Sequence, residues 1–218
     1  MQIRIIGDVH GYRHELQCLL HSAVDAIIQL GDMGVGFGQS DYWHDSLDDE
    51  LCAHRARFIR GNHDNPETCK SMDSWIPDGH VERLGDHSVM YIGGAWSIDN
   101  PQAPPGWLRR SAGVDWWADE ECSEQQFEDM YAHYCAVRPD IMITHDCPSS
   151  AAKSMFWDSG ILRGPQYDTR TADWLQRFFE THQPKHHFFG HWHRSMSCRI
   201  GETQFHCLAE LDYMDIEL

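Results

Sequence analysis

The sequence predicts an α/β fold with a parallel sheet, and two observations carry that prediction. Apolar, strand-like runs alternate with helical segments in a β-α-β-α-β rhythm from Ile3 to Ile59, the pattern of a sheet with helices on its faces. Five short motifs rich in aspartate and histidine then end such runs, where sites sit at the C-terminal ends of parallel strands.

Taken in order, residues 3–6 read as a buried strand. Residues 12–22 read as a helix with Leu16, Leu19 and Leu20 on one face. Residues 26–30 form a second strand that ends at Gly31-Asp32, and Gly31, Gly34, Gly36 and Gly38 mark the loop after it. Residues 41–54 read as a helix and 57–59 as a third strand running into Gly61. A hairpin follows around Gly85-Asp86, pairing residues 81–84 with 88–92. Residues 101–113, rich in Pro and Gly, form a long loop. Ser123 caps a helix to about Ala136, residues 141–144 are a strand, and residues 148–170 lack clear periodicity and read as a surface loop beside the site. A helix over 171–180, a strand over 187–189 and two strands around Gly201 complete the chain. No repeat, low-complexity segment or linker divides it, so residues 1–218 are expected to form one domain.

Composition narrows the function. No apolar run reaches the roughly 20 residues of a membrane helix, and Asp8 and His10 interrupt the N-terminus where a signal peptide would be apolar. The eight cysteines include no Cys-x-x-Cys pair, which reads as reduced thiols in a cytoplasmic protein with no membrane partner. A formal charge of -17 argues against tight duplex nucleic-acid binding, which needs Lys and Arg on phosphates. A phosphate-bearing substrate remains compatible. Two divalent ions set against Asp8, Asp32 and one hydroxide leave about one local positive charge.

The five motifs are Gly7-Asp8-Val9-His10-Gly11, Gly31-Asp32, Gly61-Asn62-His63-Asp64, Thr144-His145-Asp146 and Gly190-His191-Trp192-His193. Singly, each fits a capping aspartate or a surface histidine. Jointly they supply enough donors for two metal ions. Asp8 with His10, and His191 with His193, are two residues apart, so strand alternation would aim each pair one way. Oxygen and imidazole donors suit manganese first, and also iron or zinc, rather than a thiolate zinc site. A neutral ligand at Asn62 makes sense where Asp32 bridges both ions.

These motifs resemble those of the calcineurin-like metallophosphoesterases, from Met1 to about His193. The resemblance implies a metallophosphoesterase-like β-sandwich of mixed sheets flanked by helices, and a phosphate ester split by a metal-bridging hydroxide. It also implies that Asp8, His10, Asp32 and His193 hold one ion and Asp32, Asn62, His145 and His191 the other. His63 matches the histidine that protonates the leaving oxygen. The stretches around Asp8 and Asn62 are similar to the Ser/Thr protein phosphatase branch, while Arg110-Ser111-Ala112-Gly113 with Trp116, Trp117 and Glu120 is similar to phage and bacterial members. One departure stands out. Gly31-Asp32-Met33-Gly34-Val35-Gly36 lacks the Asp and Arg that orient the histidine and clamp phosphate in the protein phosphatases.

Asp64 is the nearest candidate to orient His63, with a turn-capping role as the alternative. Arg110 is the candidate clamp, its alternative being a solvated surface arginine. Trp107, Trp116 and Trp117 form either an aromatic wall for a base or aryl group or core beneath the long loop. The reading is a two-metal phosphomonoesterase or phosphodiesterase. Its alternatives are a protein phosphatase and a non-catalytic scaffold of the same fold.

Overall fold

The structure is a computed structural model that describes residues 1–103, 108–163 and 168–218; Trp107 lies outside these. Among the described residues, ten strands form two sheets. Strands β1 (Gln2–Ile6), β2 (Ala26–Gln29) and β3 (Ala56–Phe58) run parallel, with β10 (Tyr213–Glu217) antiparallel beside β1. The second sheet has six strands. Its parallel centre is β5 (His87–Ile92), β6 (Ile141–Thr144), β7 (His186–Phe189) and β9 (Thr203–Cys207), with β4 (Val81–Leu84) and β8 (Met196–Ile200) antiparallel at the two edges.

Period-2 alternation explains why these strands read as continuous apolar runs. Ile3, Ile5, Ile28 and Leu30 meet Val89, Tyr91, Ile141, Ile143 and Phe188 between the sheets. Their neighbours Ile6 and Ile27 face outward onto Leu16, Leu20, Leu47 and Leu51 of helices α1 (Arg13–Leu20) and α2 (Asp41–Ala53). Met90, Ile92 and Met142 do the same on the other side, against Phe127, Tyr134, Trp174 and Phe178. With both faces covered, no polar alternation is left to see. Burying each such Ile or Phe contributes roughly 1.5–3 kcal/mol. The β-sandwich of mixed sheets flanked by helices is therefore the observed architecture.

Three segments differ from expectation. A short helix α3 (Pro66–Lys70) follows the third motif, begun by Pro66 and capped by Asn65. Strand β10 was missed because its alternating half-buried pattern is that of an edge strand; Arg4 pairs with Asp215 at 2.8 Å to fix it on β1. Residues 148–170 are not simply a surface loop. They contain α5 (Ser149–Ala152) and a π-helical turn, Lys153–Trp157, that bury Ala151, Ala152, Met155 and Phe156. The i, i+1, i+4, i+5 spacing of those four was a helical signal, obscured by the wide turn. Two further helices cover the second sheet, α4 (Glu124–Val137), which starts at a capping box of Ser123 and Gln126, and α6 (Arg170–Thr181), capped by Thr169. All five motifs follow β1, β2, β3, β6 and β7 at one edge of the sandwich.

Candidate metal centre and its cavity

Glycines let the motif loops pack against one another. A Cβ on Gly61 would collide with the Asp32 carboxylate, one on Gly190 with that of Asp8, and one on Gly31 with the His145 ring. The motif residues themselves carry backbone strain. His10, Asp32, His191 and His193 have φ of 49°, 56°, 66° and 48°, left-handed values costing roughly 1–3 kcal/mol each. These turns aim the side chains. Strand alternation does not, because β1 ends at Ile6 and β7 at Phe189, before either pair.

Two groups of side chains result. Asp8, His10, Asp32 and His193 each bring a ligand atom within 4.8 Å of the others, and Asp32, His145 and His191 do likewise. Asp32 belongs to both. Asn62 joins the second group through Oδ1, 3.0 Å from His145 Nε2 and 2.9 Å from His191 Nδ1. In the first group His10 Nε2 and His193 Nε2 lie 3.0 Å apart, and His193 Nε2 is 3.2 Å from Asp8. Oxygen and imidazole atoms thus converge from five loops with no thiolate among them. Such a donor set fits divalent ions of the manganese, iron and zinc class.

Outer contacts fix which atoms point inward. A carbonyl only accepts, so His145 Nδ1 donates to Leu30 O at 2.7 Å and Nε2 is the atom presented to the group. Ser97 donates its hydroxyl to Glu120 at 2.5 Å and accepts from Asn62 Nδ2 at 3.0 Å. The Asn62 carboxamide is thereby turned with its oxygen toward His145 and His191. The main-chain N–H of His191 donates to Asp8 at 3.1 Å.

Charge is balanced across the same residues. Burial opposes ionisation of Asp32, but His145, His63 and His10 together hold it well below the usual carboxylate range. Burial likewise opposes a proton on His145, yet Asp32 holds it up to about 10. Burial, then His145, pushes His191 down to about 3. His145 would give up its proton to hold a cation there, and the bound cation would then balance the Asp32 charge.

His63 donates its main-chain N–H to Asp32 at 2.6 Å. Its ring lies edge-on to His10 at 5.1 Å and stacks on Phe37 at 6.2 Å, and Phe37 meets Trp117 edge-on at 5.2 Å. Burial lowers the His63 pKa, with Asp32 working against that. Phe37 escaped the sequence reading, although a phenylalanine isolated between Gly36 and Gly38 was a signal. Trp117 packs edge-on against Phe37, and Trp116 is half-buried.

Two expectations are corrected. Asp64 does not orient His63. Its buried carboxylate accepts main-chain N–H groups from Gly61 and Gly34 at 2.7 Å and from Met33 and Val35 at 3.2 Å, which ties the second motif loop to the third. Arg110 is neither a clamp aimed at phosphate nor a solvated arginine. It is 8% exposed, and its N–H groups go to Asp99 (2.9 Å), Asn62 O (3.0 Å), Asp115 O (2.9 Å), Glu120 (2.9 Å) and Ser97. Burial pushes Glu120 up to about 7 against the pull of Ser97 and Arg110. Arg110 supports the main chain of Asn62 from beneath.

A cavity of about 470 Å³ opens beside the two groups. Asp32, Asn62, His63, His191 and His193 line it together with Trp96, Trp157 and Trp192. Comparisons with known proteins bear on the family and the fold. The calcineurin-like phosphoesterase pattern matches residues 1–195. No curated protein matches by sequence. In structure the chain is similar to a candidate 5′-nucleotidase of Staphylococcus aureus, at TM-score 0.54 and 15% identity, covering 98% of this chain and 50% of that one. It is also similar to a phosphopantetheinyl hydrolase of Mycobacterium tuberculosis, at TM-score 0.50 and 16% identity, covering 96% and 90%. A third similarity is to the inner-membrane-complex anchor of Plasmodium, at TM-score 0.51 and 12% identity, covering 95% and 71%. These likenesses concern the fold.

Proposed function

The chain belongs to the calcineurin-like phosphoesterase family, and on that premise we propose a two-metal phosphoesterase acting on both phosphate monoesters and diesters. The observation that carries this reading is the sharing of Asp32 between two donor groups, with His63 on the wall of the same cavity. When bound, the two divalent ions supply a water ionised near neutral pH and neutralise charge on the phosphoryl oxygens. Asp8, His10, Asp32 and His193 would hold one, and Asp32, Asn62, His145 and His191 the other.

The remaining steps fall to the protein. Asp32 offsets repulsion between two cations, and the neutral Asn62 avoids adding surplus negative charge. His63 faces the cavity and delivers a proton to the leaving oxygen. Presence of all seven donors and His63 favours catalysis over a scaffold role. Arg110 is engaged internally and the clamp expected of it is missing, which supports activity on both ester classes and against phosphoproteins as preferred substrates; Arg163 also lines the cavity. The test is a side-by-side assay of an aryl phosphomonoester and a diester with Mn²⁺, with metal counted by elemental analysis. Turnover of both with two equivalents of metal is expected. Absence of turnover on either with metal bound overturns the reading.

A further inference from the structure

The cavity extends well beyond what a phosphoryl group needs, and its apolar lining has an unusual make-up. Trp96 and Ile98 come from the connection after β5, Ala152 and Trp157 from α5 and the π-helical turn, and Trp192 from between two histidines of the last motif. The three indoles are half-buried. Trp157 and Trp192 pack on one side against the core around Phe156 and Phe189 and, with Trp96, line the chamber on another, and such apolar surface in a cavity marks a binding site.

Trp192 is rigidly placed. Its Nε1 donates to the buried Asp146 at 3.0 Å, its ring stacks on Phe156 at 4.5 Å with 13° between planes, and Trp157 meets it edge-on at 5.5 Å. The π-helical turn matters here. Its wide spacing leaves Phe156 buried while Trp157 reaches the chamber, and π-turns recur at functional sites.

We propose, building on the phosphoesterase reading, that this chamber receives a planar aromatic group of the substrate, so that the preferred ester carries a nucleoside or aryl moiety. Three indoles with preset geometry favour a flat π-system over a flexible chain, since stacking needs little ordering of the wall. A phosphoserine side chain has one methylene between phosphate and main chain and leaves the chamber unfilled. The volume of about 470 Å³ is that of a small-molecule site.

The test uses the full chain and three primary alkyl phosphates of similar leaving-group basicity: 2-(1-naphthyl)ethyl phosphate, n-hexyl phosphate and adenosine 5′-monophosphate. With Mn²⁺, kcat/KM for at least one aromatic ester should exceed that of the hexyl ester roughly tenfold or more, a typical stacking contribution. Preference for adenosine 5′-monophosphate identifies a nucleotide source, and preference for the naphthyl ester an aryl one. Trp157→Ala should cut the aromatic-to-hexyl ratio about tenfold. Ile98→Asp, at a position 44% exposed, should cut it as well. Calorimetric binding of the same three esters to the metal-free chain reads the chamber without turnover. Hydrolysis of none with selective aromatic binding overturns the phosphoesterase reading and leaves the chamber standing. Equal handling of hexyl and aromatic esters in both measurements, or a ratio unchanged in both variants, overturns the chamber.

Discussion

Asn62 Nδ2 donates to Ser97 Oγ at 3.0 Å, and that one contact decides which end of the carboxamide faces His145 and His191. Amide oxygen binds cations and amide nitrogen does not, so the second donor group depends on a hydroxyl that touches no ligand position itself. Ser97→Ala should weaken metal binding at the Asn62 group roughly 10–100-fold, the usual cost of removing an outer partner. Calorimetric Mn²⁺ titration should resolve one weakened and one retained site. Two sites with wild-type affinity would show that Asn62 is oriented otherwise.

Asp32→Asn should remove nearly all activity and lower bound metal. The carboxylate shared by both groups is the charge that would offset repulsion between two cations. Elemental analysis of the purified variant checks it. Two full equivalents of metal with wild-type turnover would refute the shared-ligand assignment.

His63→Asn should lower turnover by roughly 10²–10⁴-fold, the range of a positioned general acid, with metal content retained. The loss should shrink for nitrophenyl esters, whose leaving groups need little protonation. An equal loss on alkyl and nitrophenyl phosphates would assign His63 another role.

What was legible in the sequence follows from what is local. The candidate donors sit in short motifs behind apolar strands, so the strands were readable, and the structure brings those candidates together in two groups. The two-residue spacing of Asp8 and His10 was informative for a different reason than strand alternation suggests, since left-handed turns at His10 and His193 aim the rings. Support for the site was not legible. Asp64 and Arg110 were expected to orient His63 and to clamp phosphate, but the Asp64 carboxylate bonds Gly34, thirty residues away, and Arg110 bonds the main chain of Asn62 and pairs with Glu120. No periodicity encodes such contacts. The chamber wall escaped for the same reason, because Trp96, Trp157 and Trp192 meet only in the fold.

Acid stability should depend on His187, away from the donor groups. Burial, then His206, pushes it down to about 3, whereas an unfolded histidine titrates near 6.5. Between those values the unfolded chain binds more protons, so this contribution is complete above about pH 6.5 and is lost as pH falls toward 3. The slope reaches roughly 1.4 kcal/mol per pH unit. His187→Gln keeps a donor for Thr144 Oγ1, 2.7 Å from the imidazole, and should flatten stability between pH 6.5 and 4. Urea unfolding of both proteins at several pH values measures it. Parallel curves would rule His187 out.

Arg110→Ala separates a supporting arginine from a phosphate clamp. A clamp would matter more for a monoester dianion than for a diester, giving unequal losses. The structure instead places the guanidinium between Asp99 and Glu120 and under Asn62 O, so its removal leaves Glu120, 3% exposed, without its cation. Breaking one side of a buried pair costs roughly 3–5 kcal/mol. Both ester classes should therefore lose rate by the same factor as Asn62 shifts, and the midpoint of thermal unfolding should fall. Arg110→Ala combined with Glu120→Gln should recover part of the midpoint, because the stranded charge is gone. A variant that keeps its unfolding midpoint and loses only monoester activity would restore the clamp.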